Sequence, residues 1–343
     1  MPSILVIKPS SLGDITHALQ VVESLRRQMP DVKITWVVRD TFAQLVEACE
    51  TVDEVLVFER KSGLSAFRRL LAEIKSRHFD WVLDMQGLAR SGLMAMAADC
   101  PRANKLGRSD ARELSGFAYG RKVPLPPLIK APAELEHPAE ALDSEGEYHP
   151  SGAEQGGANA HAVDILLEFL PALGLEKRID GELSFKARDV GRSLDRHEGA
   201  VVLFPSSRRA EKEWPFFKEL ASTLVLEDGL NLVWSDSKTI PAPDLPQDHF
   251  TDLSGKTSLM DMVELIQRAS IVVCNDSGPM HLAAAMGKKI VAVFGPTNPE
   301  RFGPYPLTAP GHFVLTAPGC DLQQLSVERV ASVVRKALVG SQC

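Results

Sequence analysis

The sequence predicts an α/β protein of two domains, each a parallel β-sheet covered by helices. Apolar runs of strand length alternate with segments of helical spacing along the chain. That rhythm breaks once, in a long stretch rich in Pro, Gly and Ala, and then resumes. The 343 residues also exceed the ~100 to 200 that one domain usually occupies.

In the first half the expected strands are ILVIK at 4–8, ITWVV at 34–38, EVLVF at 54–58 and WVLDM at 81–85. Strands buried on both faces read as unbroken apolar runs of this kind, which is why the sheet is expected to be parallel. Between them, HALQVVESLRRQM at 17–29 and SAFRRLLAEIKS at 65–76 carry apolar residues at helical spacing. Residues 124–158 interrupt the pattern. Within 131–158 there are seven acids and no Lys or Arg, the composition of an exposed, mobile insertion or lid without a packed core. A helix at 161–174 follows, and then strands at 200–204, 231–234, 270–275 and 289–295 with helices at 214–227 and 258–269. The expected boundaries are therefore 1–175 for the first domain, with the insertion at about 124–158, and 176–325 for the second. SVERVASVVRKALVG at 326–340 reads as a closing helix, expected within 326–343 to pack back on the first domain.

Composition narrows the function classes. No apolar run approaches the roughly 18 residues of a membrane span. The N-terminus reads as a first strand and not as an export signal, so the expected location is the cytoplasm. Five cysteines without a C-x-x-C pair suit reduced thiols and argue against both a disulfide framework and a zinc site. A net charge of -7 argues against nucleic acid as a partner. The average hides two basic segments. Residues 60–78 carry six Lys or Arg against Glu73, and residues 102–122 carry six against Asp110 and Glu113. These are either solvated helix faces or contacts for an anionic substrate or membrane surface.

In tandem α/β domains, ligands sit at the carboxyl ends of the strands, so the strand-to-helix turns are where chemistry is expected. Three such turns stand out. KPSSLGDITH (8–17) offers Ser10, Ser11 and Gly13 as backbone and hydroxyl donors, while Asp14 falls in the first helical turn as a cap or a catalytic carboxylate. FPSSRRAEKEWP (204–215) sets Ser206 and Ser207 ahead of Lys212, which is either a polar surface turn or a set of donors for phosphate oxygens. NDSGPMH (275–281) opens a helix near Gly278 whose free N–H groups form an anion site, with Ser277 and His281 in reach. Asp276 would repel phosphate, so it caps the helix or holds Lys212 or a ribose hydroxyl. GPTNPERFGPYP (295–306) suits a rigid loop lining the cleft. No G-x-G-x-x-G or Walker A motif occurs.

Taken together, SSLGDITH, DMQGLARSG (84–92), AYGRKV (118–123), K-x-W-P (212–215), DLSGKTSL (252–259) and the block 275–305 resemble the ADP-heptose:lipopolysaccharide heptosyltransferases, glycosyltransferase family 9, of heptosyltransferase I type. The resemblance spans nearly the whole chain and is weakest across the insertion. It implies a GT-B fold, two Rossmann-like domains whose parallel sheets face a central cleft. It implies an inverting transferase that needs no metal or other cofactor, with ADP-heptose as donor. On the matching positions, Asp14 would be the catalytic base. Ser10, Ser11, Gly13, Ser206, Ser207, Lys212, Asp276, Ser277, Gly278 and His281 would hold the donor and its phosphates. Arg60, Lys61, Gln86, Arg90, Arg121 and His161 would meet an anionic, lipid-linked saccharide acceptor at the inner membrane surface. The expected enzyme is a monomer, cytoplasmic and peripheral at the cytoplasmic face of that membrane.

The chain departs from the family at one point. Relatives carry W-G-x-x-x-E after the strand at 231–234, with the Glu on the nucleoside ribose, whereas this sequence reads WSDSKTIPAPDLP. Asp236 is the available substitute. The departure leaves open a family 9 transferase with another nucleotide sugar or acceptor, and a catalytically silent nucleotide-sugar-binding protein is a further alternative.

Overall fold

The computed structural model describes residues 1–126, 160–186 and 194–339. The acidic stretch expected to be a mobile insertion lies almost wholly outside the described residues. Those described form two compact units, one made of 1–126 with 160–186 and the other of 194–339.

The first unit runs β1 (Ser3–Ile7), α1 (Leu12–Gln28), β2 (Lys33–Arg39), α2 (Ala43–Ala48), β3 (Glu54–Phe58), α3 (Gly63–Lys75), β4 (Trp81–Asp84), α4 (Ala89–Ala97), β5 (Lys105–Arg108) and β6 (Arg121–Val123). It closes with α5 (Ala162–Leu167) and α6 (Phe169–Ala172). All strand pairs are parallel, in the order β3-β2-β1-β4-β5-β6. The single helix expected at 161–174 is broken into α5 and α6. Pro171 explains the break: its ring collides with the carbonyl four residues back, that of Leu167, the last residue of α5. One face of the sheet is packed by Leu70 and Ile74 of α3 and by Met94, Ala95 and Ala98 of and after α4, against Leu5, Ile7 and Val82.

The second unit runs β7 (Val201–Phe204), α7 (Phe217–Leu226), β8 (Leu232–Trp234), β9 (Phe250–Asp252), α8 (Leu259–Arg268), β10 (Ile271–Asn275), α9 (Gly278–Ala285), β11 (Ile290–Phe294), α10 (Pro299–Phe302), β12 (His312–Thr316) and α11 (Val327–Val339). Its parallel strands are ordered β12-β11-β10-β7-β8-β9. Renumbered within each unit, both sheets have the order 3-2-1-4-5-6. The order reverses between β1 and β4 in the first sheet and between β7 and β10 in the second. The loops leaving two such neighbouring strands turn to opposite sides of the sheet and leave a crevice at their carboxyl ends.

Two expectations about organisation are corrected. The first unit continues past 175: the Gln28 side chain donates to the Glu176 carbonyl at 3.0 Å, and the Asp180 N–H donates to Ser24 Oγ at 2.7 Å. Segment 176–186 is thereby sewn to α1, whereas composition alone gave no signal for it. The closing helix belongs to the second unit and not the first. Val330, Ala331, Val334 and Ala337 of α11 share one core with Leu203, Leu220 and Leu224, and Arg335 pairs with Asp228 at 2.9 Å. An amphipathic stripe declares that a helix buries one face but does not name the surface it meets.

Candidate active site

The turn after β1 is built around Asp14. Ser11 is the N-cap of α1, which makes Asp14 the third helical residue, and its Oδ2 accepts the Ser11 backbone N–H at 3.0 Å and the Ser11 hydroxyl at 2.6 Å. The other oxygen, Oδ1, lies 3.6 Å from the Lys8 ammonium, and the Asp14 side chain is 47% exposed. One carboxylate oxygen is thus fixed as a cap while the side chain stays open to solvent. Ser10 and Gly13 flank it, both partly buried.

Lys8 was given no role by sequence reasoning. It is buried at the end of β1, donates to the Met85 carbonyl at 3.2 Å, and burial pushes its ammonium below the ordinary lysine value while the Asp14 charge opposes that shift. Beside it, Asp84 is fully buried at the end of β4. Burial pushes the Asp84 carboxyl up, against the N–H groups of Gly87 (3.0 Å) and Gln86 (2.9 Å) and the Tyr119 hydroxyl (2.7 Å), all of which donate to it. The signal for Lys8 was present: a lysine ending an otherwise apolar buried strand needs partners that only neighbouring strands provide.

The acceptor candidates separate. Because β4 is the neighbour of β1, Gln86 stands beside the Asp14 turn, and its buried Oε1 has no hydrogen-bond partner among the described residues. Arg90, in the first turn of α4, holds its guanidinium 6.0 Å from the Phe58 ring at the end of β3. Arg60 and Lys61 follow Phe58 after Glu59 and are exposed. These three cations therefore share the carboxyl-end rim of the sheet. Arg121 does not join them: it opens the edge strand β6, three strands from β1, and donates to the Ala172 carbonyl at 3.0 Å. His161 is buried under α1; its Nδ1 accepts the Val163 N–H at 3.1 Å as the cap of α5, and its ring meets His17 edge-on at 5.3 Å.

In the second unit the turns after β7 and β10 meet at the reversal point. Asn275, fully buried, fastens them: its Oδ1 accepts the Trp214 N–H at 2.9 Å and its side-chain NH2 donates to the Pro205 carbonyl at 2.8 Å. The helix expected from Trp214 begins instead at Phe217, because Pro215 disfavours the helical conformation at the residue before it. Lys212 reaches Asp276 Oδ2 at 2.5 Å, with both side chains largely buried, and Thr297 donates to the same oxygen at 2.8 Å. Of the roles open to Asp276, holding Lys212 is the one realised, because the N-cap of α9 is Ser277. Ser207 donates to the Asp276 carbonyl at 3.1 Å, and its N–H is held by Glu213 at 2.8 Å. Ser206 precedes it, partly buried.

Gly278 and His281 occupy the first turn of α9. The Ser277 hydroxyl oxygen is buried and has no hydrogen-bond partner among the described residues. A helix N-terminus and an unsatisfied hydroxyl in one turn, with an ammonium brought to it by the neighbouring turn, suit an anionic ligand. The loop after β11 lines this half-site through Thr297 and through Phe302, whose ring lies 5.6 Å from the Lys212 ammonium. Thr297 and Glu213 were missed from sequence, since each acts only on a residue distant along the chain. Asp236, the candidate substitute for the family's ribose Glu, accepts the Lys238 N–H at 2.9 Å.

Residues 67–314 match the profile of glycosyltransferase family 9 (heptosyltransferase). The lipopolysaccharide heptosyltransferase 1 of Escherichia coli O18:K1:H7 is 26% identical, the alignment covering 97% of each chain. The lipopolysaccharide core heptosyltransferase OpsX of Haemophilus influenzae is 23% identical over 88% of this chain and 82% of that one. Among solved structures, the E. coli heptosyltransferase WaaC with ADP superposes with a TM-score of 0.72 at 23% identity, covering 98% of this chain and 99% of that one. The family 9 glycosyl transferase from Veillonella parvula gives a TM-score of 0.74 at 20% identity, covering 99% of this chain and 97% of that one. The two Rossmann-like sheets are those of the GT-B fold.

Proposed function

The chain belongs to glycosyltransferase family 9, the heptosyltransferases, and we propose on that premise that it transfers heptose from ADP-L-glycero-D-manno-heptose to the Kdo-bearing inner core of lipopolysaccharide, inverting the anomeric centre without a metal ion. The observation that carries the donor assignment is the α9 N-terminus, where the Ser277 hydroxyl is buried and unsatisfied and Lys212, from the turn after β7, reaches the adjoining Asp276.

In this reading the acceptor hydroxyl attacks the anomeric carbon from the face opposite the diphosphate. The new C–O bond forms as the bond to the β-phosphate oxygen breaks, its electron pair leaving with ADP. The acceptor proton passes to Asp14. The two Ser11 contacts on Oδ2 aim the carboxylate, leaving Oδ1 as the base. Charge growing on the departing diphosphate is met by the free N–H groups at the start of α9, by Ser277 and by Lys212, which moves from Asp276 to phosphate. Ser10, Gly13, Ser206, Ser207, Gly278 and His281 complete the donor contacts. Arg60, Lys61, Gln86 and Arg90 receive the acid groups of the acceptor. Because that acceptor is lipid-borne, the enzyme works as a peripheral monomer at the cytoplasmic face of the inner membrane. No described helix is long and apolar enough to cross a membrane.

A second reading, a family 9 transferase with another nucleotide sugar, draws on the turn after β8: where relatives place Glu, five residues after the Trp, this chain has Thr239, and the nearby carboxylate of Asp236 is tied into a local turn. ADP release with ADP-heptose and a Kdo-bearing lipid A acceptor, against a control without acceptor, tests the first reading. Release only with acceptor supports it. No release from protein that still binds ADP overturns it, and a panel of sugar donors then tests the second.

A further inference from the structure

Four of the large apolar side chains that the described chain exposes belong to one feature of the first unit. Leu93 and Met96 on α4 are 46% and 59% exposed, and Leu114 and Phe117, on the 3-10 turn before β6, are 80% and 73% exposed. The two pairs stand beside each other because α4 packs on that turn through Gly92, where an added Cβ would come within 2.9 Å of Ser115. Leu93 and Met96 are three residues apart on one helix face. The Phe117 N–H donates to the Leu114 carbonyl at 3.2 Å, closing a turn that sets these two side by side as well.

The backbone holds this arrangement against its own preference. Glu113 and Leu114 are consecutive non-glycine residues in the left-handed region, with φ of 54° and 63°. A leucine kept in that conformation while exposed gains nothing from burial within its own unit.

Charge identifies what covers the patch. The Arg102 guanidinium donates to the Phe117 carbonyl at 3.3 Å, and the Lys122 side chain lies against Gly116, 3.4 Å from the site of an added Cβ. Both cations therefore lie at the backbone of the turn that carries Phe117. Of the acids nearby, Asp110 is held by Arg108 at 2.6 Å, and Glu113, which accepts the Ala89 N–H at 3.0 Å and keeps its charge, is outnumbered by the exposed Arg102, Arg112 and Lys122. Apolar tips among an excess of Lys and Arg match an anionic lipid surface, which takes the tips at the depth of the acyl boundary and the cations at its phosphates. The patch also continues into the proposed acceptor site, since Arg90 and Leu93 lie three residues apart on α4.

We infer that the α4 and 3-10 face of the first unit, through Leu93, Met96, Leu114 and Phe117, docks this protein onto an anionic membrane surface. The inference deepens the reading of a lipid-borne acceptor: a face that seats in the bilayer presents the Arg90 rim to headgroups standing on that bilayer.

Co-sedimentation of the full chain with phosphatidylcholine vesicles, with and without phosphatidylglycerol, tests it. The expected result is binding only to the anionic vesicles, weakening as salt rises. The Leu114→Ser, Phe117→Ser double variant is expected to lose about ten-fold in vesicle affinity, and Arg102→Glu with Lys122→Glu to lose as much. Both variants should keep wild-type transfer to a deacylated, water-soluble acceptor. Wild-type protein that ignores anionic vesicles, or a double serine variant that binds them as well as wild type, overturns the inference. So does a dimer in sedimentation velocity that the serine variant dissolves, because a second copy then covers the face. Vesicle binding that obeys these expectations in a protein inactive with ADP-heptose would uphold the docking face and reject the proposed reaction separately.

Discussion

Asp14 divides its two oxygens between two tasks, one capping α1 through Ser11 and the other open beside Lys8. Asp14→Asn preserves the shape and an acceptor for the cap but removes the base. Turnover should fall about a hundred- to ten-thousand-fold while thermal stability stays near wild type, measured by ADP release and melting on the same sample. Lys212 is the opposite case, because its removal touches stability and binding together. Lys212→Met strands the buried Asp276 charge, and the protein should lose about 3 kcal/mol in urea denaturation. ADP affinity should also fall about ten- to hundred-fold by titration calorimetry, the loss of one charge-assisted contact to phosphate. Wild-type ADP affinity in that variant would remove Lys212 from the donor site. Both residues were legible in sequence because each lies in a polar turn directly after an apolar strand. Lys8 left only the signal of a lysine ending an apolar strand, and Asp84 none, since their importance comes from being brought side by side by the pairing of β1 with β4.

At the scale of elements, the second half-site depends on β7 and β10 being held at one level by Asn275. Asn275→Ala removes both bonds and leaves the buried Trp214 N–H and Pro205 carbonyl unmatched, so it should cost about 3 kcal/mol by chemical denaturation. The loop between α10 and β12 carries a pH dependence. His312, at the start of β12, donates through Nδ1 to the Pro306 carbonyl at 2.7 Å, and burial holds its imidazole below the ordinary value of 6.5. Between that depressed value and 6.5 the unfolded chain binds more protons than the folded one. Its contribution to stability is therefore complete above 6.5 and is lost as pH falls through the depressed folded value. In urea melts across this range, His312→Gln should flatten the dependence; an unchanged slope would assign it to other groups. The apolar strands β1 to β4, β7, β8, β10 and β11 were readable because burial on both faces leaves an unbroken run. The strands β5 (KLGR), β6 (RKV), β9 (FTD) and β12 (HFVLT) were not. Polar residues interrupt or bound these short segments, and each forms because a neighbouring strand offers it a ladder.

Across the whole molecule, the same strand order appears in both sheets, and the chemistry divides between them. The proposed base and acceptor cations belong to the first, the proposed diphosphate contacts to the second. ADP alone should therefore stabilise the protein without acceptor. At a hundred times its dissociation constant, ADP should add about 2.7 kcal/mol to the unfolding free energy, read as a rise in melting temperature. A nucleotide that left the melting curve unmoved would argue against the donor site. The net charge of -7 coexists with basic segments in the first half, and the structure sorts their cations. Lys105 is buried on the Met96 and Ala98 carbonyls and Arg77 is paired with Glu54 and Glu73, whereas Arg60, Lys61, Arg102 and Lys122 remain exposed.

The sequence by itself determined the α/β class, the two-domain count and the family, because each is written in local patterns: apolar runs, helical spacing and short polar motifs. The tertiary structure alone decided which surface α11 covers, that 176–186 stays with the first unit, that Arg121 lies on the edge strand while His161 packs against His17 of α1, and that Asp276 holds Lys212 and Thr297. Those facts depend on contacts between residues distant along the chain, and such contacts are set by strand order and packing, which no local pattern encodes.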